Sequence, residues 1–390
     1  MTSHFRFQSK LPGVANSIFS RMSALAQRYD AINLSQGFPD FECSPRLVEL
    51  VGKYMRSGYN QYAPMAGVPL LRERIAGKIA AAFRLGVDPG DEITVTAGAT
   101  QALFTAIAAL INAGDEAIIF EPAYDSYAPA VRLFGGVVRN IPTYAPAFQI
   151  DWESVRRVTT AKTKLIIINS PGNPSSKLFK AEDFDALAEL IKDTGILVLS
   201  DEVYADVVYD DNQRFVSALE HPLLRERSLV VSSFGKLFHI TGWKVGYIVA
   251  PPWLTDEFRK VHQFNVFSVN TPIQYALAEF LENQAGYEGL ATFFKGKRDI
   301  LLAALSETRF APLPCAGSYF QLINYAALST ERDDMFCERL TRDFGLATIP
   351  VSAFYSANTD QHLLRVCFAK SEDTLAAAAI KLREIDQYYG

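Results

Sequence analysis

Between residues 92 and 250 short, continuous apolar runs alternate with longer stretches of helical period. The runs at 92–96, 117–120, 136–141, 164–169, 196–199, 228–231 and 245–250 read as strands, being short and bounded by turn residues. Residues 99–111 are almost wholly apolar and predict a helix buried all round. Two more helices are expected at 124–134 and 181–192, the second with Phe184, Leu187, Ala188 and Ile191 on one face. Strands apolar on both faces and separated by helices imply a mostly parallel sheet covered on both sides, an α/β architecture.

The pattern changes after residue 271. Helical stretches run to about 306, followed by strands near 318–323 and 362–368 and helices at 332–343 and 372–388. That is the signature of an α+β end domain. A chain of 390 residues also exceeds what one core usually serves. The expected division is a large domain at 46–284 and a small one made of 1–45 and 285–390. A long helix near 287–306 is the expected connection between them.

Bulk composition removes several classes of function. With 49% hydrophobic and 21% charged residues the chain is neither disordered nor fibrous. A net charge of −5 offers no basic footprint for nucleic acid. No run approaches ~18 apolar residues, and the first residues lack an apolar signal core, so no membrane span or leader is expected. Cys43, Cys315, Cys337 and Cys367 are widely spaced, as in a reduced, cytoplasmic protein. Five scattered histidines without HExxH spacing give no reason to expect a metal. GxGxxG, GxSxG and Walker A patterns are absent.

The candidate chemistry gathers behind the strands. Asp201, in Ser200-Asp201-Glu202-Val203-Tyr204, precedes Lys236, in Ser233-Phe234-Gly235-Lys236, by 35 residues, and each follows an apolar run. Pyridoxal 5'-phosphate (PLP) needs such a pair: a lysine that binds its aldehyde and a carboxylate that keeps its ring nitrogen protonated. Gly98-Ala99-Thr100 opens a helix whose free amides can bind an anion. Ser233 and Lys244 add a hydroxyl and a cation suited to phosphate. Tyr124 can stack on a planar ring, and Asn173 and Tyr204 can reach a phenolate oxygen. Each of these also has an ordinary packing or turn explanation taken alone. Their shared place at the C-terminal ends of strands is where an open α/β sheet binds ligands. Arg365 is an isolated charge inside the apolar run Leu364-Arg365-Val366-Cys367-Phe368, costly to bury unless paired. It reads either as a structural ion pair or as a clamp on a substrate carboxylate.

Taken together these residues resemble the class I aminotransferases of the fold type I PLP enzymes. Lys-Leu-Pro-Gly at 10–13, Ile32-Asn33-Leu34-Ser35-Gln36-Gly37-Phe38-Pro39-Asp40-Phe41, Asn60-Gln61-Tyr62 and Asn173-Pro174 are most similar to the kynurenine/glutamine/methionine aminotransferase branch, nearly end to end. The resemblance implies a large domain around a mostly parallel seven-stranded sheet and a small α+β domain. It implies that Lys236 binds PLP covalently, Asp201 pairs with the ring nitrogen, and Tyr204 and Asn173 bind the ring oxygen. Gly98, Ala99, Thr100, Ser233 and Lys244 would hold the phosphate and Tyr124 the ring face. Tyr62 would reach the phosphate of a second subunit, making a homodimer. Arg365, Asn173 and the Gly37 backbone would fix the carboxylate of an amino acid, with a 2-oxo acid as partner substrate in a ping-pong reaction.

Two departures stand out: Ser175-Ser176 in place of Thr-Gly after Asn-Pro, and Lys244 where many relatives carry arginine. The segment 262–267 has no arginine for a side-chain carboxylate, which disfavours acidic donors. Phe19, Tyr62 and the residues Phe264 to Phe267 are the expected walls of an apolar pocket. A C–S β-lyase acting on cysteine conjugates or cystathionine would use the same apparatus, and pyruvate release without an acceptor would reveal it. A PLP-sensing regulatory domain would need a basic DNA-binding module, and the nine residues before Lys10, with Arg6 their one arginine or lysine, suggest none.

Overall fold

The computed structural model describes residues 8–209, 214–282 and 289–390. Seven strands form the central sheet, in the order Ile93–Thr96, Gly246–Val249, Ser228–Ser233, Leu197–Asp201, Thr163–Asn169, Glu116–Glu121 and Val137–Pro142. Neighbours are parallel except at Gly246–Val249, which runs against both of its partners. Alternation along each strand feeds two cores. Ile166, Ile168, Val198 and Val230 face one, while Leu165, Ile167, Leu197, Leu199, Leu229 and Val231 face the other. Both faces are thus dry except along the edge strand Val137–Pro142, which explains the unbroken apolar runs.

The helix Ala99–Leu110 is buried against the second core, as its composition requires. Pro69–Phe83, Ala181–Ile191 and Thr271–Phe280 cover the first. A separate core surrounds an antiparallel four-stranded sheet ordered Ile349–Pro350, Leu363–Cys367, Phe320–Asn324 and Ala311–Pro312. Ile32–Asn33 pairs in parallel with Leu346–Ala347, so the N-terminal segment docks on the C-terminal part of the chain.

Some expectations need correction. The helix expected from residue 124 begins at Tyr127 and runs to Leu133, because Tyr124 still lies in the turn after the strand. The helix near 287–306 is Leu290–Leu305; the proposed domain limits at 284 and 285 fall outside the described residues. Helices Ile18–Arg28, Pro45–Arg56, Trp152–Val158 and Pro252–Asn265 form where no element was expected. Among the described residues, no helix is long and apolar enough to cross a membrane.

Candidate active site

A cavity of about 210 Å³ opens at the C-terminal ends of the central strands. Gly98, Ala99, Thr100, Tyr124, Asn173 and Asp201 line it, as do Tyr204, Ser233, Lys236 and Lys244. Residues up to 146 positions apart therefore meet because their strands are neighbours in one sheet.

The anion end is built by backbone geometry. Gly98 has φ +79°, a conformation that glycine adopts without strain, and it caps the helix that starts at Ala99. No acidic residue occupies the first turn of that helix, so its amides and positive dipole end stay free for a ligand. The ammonium of Lys244 lies 3.4 Å from where a Cβ on Gly98 would stand. The close approach of strand and helix is tight: a Cβ on Gly246 would lie 3.2 Å from the Ala99 nitrogen and 2.6 Å from the Ser232 carbonyl.

Asp201 closes the opposite end. It is the last residue of its strand and is 4% exposed. Tyr127 donates its hydroxyl to Oδ2 at 2.6 Å, and the Val203 N–H approaches Oδ1 at 3.4 Å. Burial pushes the Asp201 carboxyl up to about 6, against the pull of these donors and of Lys236. Among the described residues, no cation forms an ion pair with it. Lys236, in the short helix Phe234–Leu237 that follows Ser228–Ser233, donates to the Gly37 carbonyl at 2.9 Å. Its ammonium is 5.5 Å from the Tyr204 ring centre and 5.7 Å from that of Tyr319. Burial lowers its pKa to about 8, and the cations of Arg365 and Lys244 act in the same direction.

Arg365 is wholly buried, yet among the described residues no carboxylate pairs with it. Its guanidinium donates to Asn173 Oδ1 at 2.8 Å and to the Ser35 carbonyl at 2.7 Å, while its Nε has no partner. Three rings surround it, Phe320 at 3.9 Å, Phe19 at 5.0 Å and Phe354 at 5.3 Å. The structural ion pair is thereby set aside. A buried cation of this kind is left with charge to spare for an incoming anion.

Other expected residues lie elsewhere. Gly37 and Phe19 sit beside Lys236 and Arg365. Tyr62 is 80% exposed, its ring edge against Phe267, and it does not line this chain's cavity. The expected walls Phe264 and Phe267 do not line it either, being 86% and 53% exposed. The helix Pro252–Asn265 buries Phe258 and His262 on its inner face, which leaves Phe264 pointing outward. Three contributors escaped the sequence reading. Tyr127 holds Asp201, Asn169 donates to the Asp201 carbonyl at 2.9 Å, and the Tyr319 hydroxyl donates to the Lys236 carbonyl. Asn169 ends a strand and Tyr127 lies three residues beyond Tyr124, so strand-end and helical spacing were their available signals.

The donor set fits PLP. Among the described residues, an anion cradle whose lysine forms no ion pair, a buried carboxylate without a cation and a half-buried amine face one cavity. Residues 29–382 match the family of aminotransferases of class I and II. The chain belongs to that family. It is a PLP-dependent aminotransferase, acting on amino acid and 2-oxo acid substrates as members of the family do. The aminotransferase is 50% identical to methionine aminotransferase of Escherichia coli (strain K12) over 97% of this chain and 98% of that one. It is 32% identical to human kynurenine–oxoglutarate transaminase 1, covering 96% and 97% of the two chains. A crystal structure of an E. coli protein with a methionine aminotransferase function superposes with a TM-score of 0.95 at 49% identity, covering 97% and 99%.

Proposed function

We propose that this aminotransferase takes methionine and aromatic or glutamine-like amino acids as donors, and that Arg365 reads their common carboxylate. The observation that carries the reading is the buried guanidinium that, among the described residues, forms no ion pair with a carboxylate. Arg365 itself lies just behind the cavity wall, bonded to Asn173, and among the described residues no arginine lines the cavity to meet a second, side-chain carboxylate. An aspartate side chain would be buried unpaired there, a penalty of several kcal/mol or roughly 10²-fold in kcat/KM. An apolar side chain instead gains about 1.5–3 kcal/mol from burial. Similarity to the E. coli methionine aminotransferase and to the kynurenine transaminase supports the same donors.

In this reading Gly98, Ala99, Thr100, Ser233 and Lys244 hold the phosphate of PLP, and Tyr124 faces its ring. Asn173 and Tyr204 take the ring oxygen, Asp201 the ring nitrogen, and Lys236 the aldehyde. When bound, PLP supplies the electron sink that makes the donor's α-proton removable. Arg365, Asn173 and the Gly37 backbone orient the donor, with Phe19 covering the guanidinium. The Lys236 amine, its pKa lowered to about 8 by burial, then accepts and returns the proton within reach of neutral pH.

The exposed Tyr62, Phe264 and Phe267 form an aromatic patch that suits a second copy of the chain, with Tyr62 serving the partner's phosphate site in a homodimer. The division into 46–284 and 1–45 with 285–390, and a cytoplasmic setting suited to four free thiols, complete the proposal. A donor panel with a common 2-oxo acid tests it, read as product 2-oxo acid. Methionine, phenylalanine, tyrosine and glutamine should lead aspartate by roughly 10²-fold in kcat/KM. Aspartate as best donor would refute the pocket.

A further inference from the structure

The two oxygens of Asp201 have unequal surroundings. Oδ2 accepts the Tyr127 hydroxyl at 2.6 Å, whereas Oδ1 has only the long contact from the Val203 N–H at 3.4 Å. Tyr127 is 2% exposed, its N–H bonds the Tyr124 carbonyl at 3.3 Å, and its ring meets that of Tyr124 edge-on at 5.6 Å. One side chain thus touches both the aromatic residue of the cavity wall and the carboxylate at the cavity's end. Its phenol can only serve Asp201 as a donor, because burial and the adjacent carboxylate hold its ionisation well above the usual range.

We infer that Tyr127 is a positioning residue for the cofactor: by occupying Oδ2 it leaves Oδ1 to face the ring nitrogen of PLP and keeps the carboxylate ionised to receive it. The inference rests on the role proposed above for Asp201. The titratable groups around that carboxylate are Lys236, Tyr124, Tyr127 and Tyr204. Lys236 attracts the anion, and the three phenols, all raised by burial, stay neutral at working pH. The Tyr127 hydroxyl is therefore the strong neutral donor on a carboxyl that burial already drives towards protonation. Without it the carboxyl titrates higher, and the apoenzyme meets PLP partly in the protonated form that cannot pair with a cationic ring nitrogen.

The test is the dissociation constant of PLP from apoenzyme across pH 6–9, measured by quenching of intrinsic fluorescence. Tyr127→Phe keeps the ring and its packing. By raising the carboxyl about one unit from about 6, the usual worth of a hydrogen bond to a charged group, it should weaken binding about fivefold at pH 6 and about twofold at pH 7. Its loss of affinity at low pH should set in about one unit higher than in the wild type, with the two curves converging near ~pH 9. Identical affinity and pH profile would overturn the inference. Asp201→Asn separates the two claims. If it binds PLP as the wild type does, the role of Asp201 fails. If it weakens binding while Tyr127→Phe does not, only the role of Tyr127 fails. In the Asp201→Asn background the added Tyr127→Phe should change little. The same fivefold loss at pH 6 there would assign the effect to packing and likewise overturn the inference.

Discussion

Replacing Arg365 with alanine isolates the guanidinium's contribution. In the structure that group makes two hydrogen bonds, to Asn173 Oδ1 at 2.8 Å and the Ser35 carbonyl at 2.7 Å, and its Nε is unpaired. Among the described residues no carboxylate forms an ion pair with it, Asp125 acting only from a distance, and burial lowers its pKa to about 10. The substrate carboxylate would be the anion in direct contact with it, beyond the distant Asp125. Removing one member of such a buried pair costs about 2–5 kcal/mol. At 1.36 kcal/mol per factor of ten, kcat/KM should fall roughly 30- to 5,000-fold. The fall should be the same for methionine, phenylalanine and glutamine, because all share the α-carboxylate. Arg365→Lys, which keeps the charge and loses the planar fork and its stacking on Phe320, should fall in between. The amine analogue of methionine without its carboxylate should react equally poorly with wild type and variant. The assay is initial-rate release of 2-oxo product for each donor, with thermal melting as the control for folding. A loss confined to one donor, or kcat/KM within threefold of wild type, would show that Arg365 does not clamp the carboxylate.

Borohydride reduction of the holoenzyme followed by peptide mapping should place the cofactor on Lys236, and a label on any other lysine removes that assignment. Lys236→Ala should retain PLP through the phosphate cradle while turnover falls by more than the ~10²–10⁴-fold worth of positioned proton transfer. Activity within tenfold of wild type would contradict it. Mixing inactive Tyr62 and Lys236 variants should restore part of the activity once subunits exchange; none after verified exchange would mean that each site is complete within one chain.

The inner strands of the central sheet were legible in the sequence because both of their faces are dry. Glu116–Glu121 and Leu197–Asp201 lie within a few residues of their expected limits for that reason. The orientation of Gly246–Val249 was not legible, since a short buried strand carries the same apolar run whichever way it points. Pro45–Arg56 and Pro69–Phe83 bury only a narrow stripe each, Leu47 and Leu50 in one and Leu71, Ile75 and Ile79 in the other, and were overlooked. At the site, residues that close a strand announced themselves by position. Tyr319 did not, because its partner lies 83 residues away and nothing local marks the contact, and Tyr127, 74 residues from its partner, offered only its spacing from Tyr124. Phe264 and Phe267 misled for the opposite reason: an aromatic cluster reads as a pocket wall, and only the packing of its helix reveals that it faces outward.

The bond from Arg365 to the Ser35 carbonyl joins positions 330 residues apart in the chain, and Lys236 reaches Gly37 across 199. The site is thus stitched from both ends of the polypeptide. At ~5–20 residues per second of synthesis, Ser35 waits about 15–65 s for the arginine that it will hold. During that interval the central sheet can form and the phosphate cradle with it, while the donor side of the cavity stays open. The residues that line the cofactor cavity are therefore all synthesised by Val245, well before the arginine that would select an amino acid.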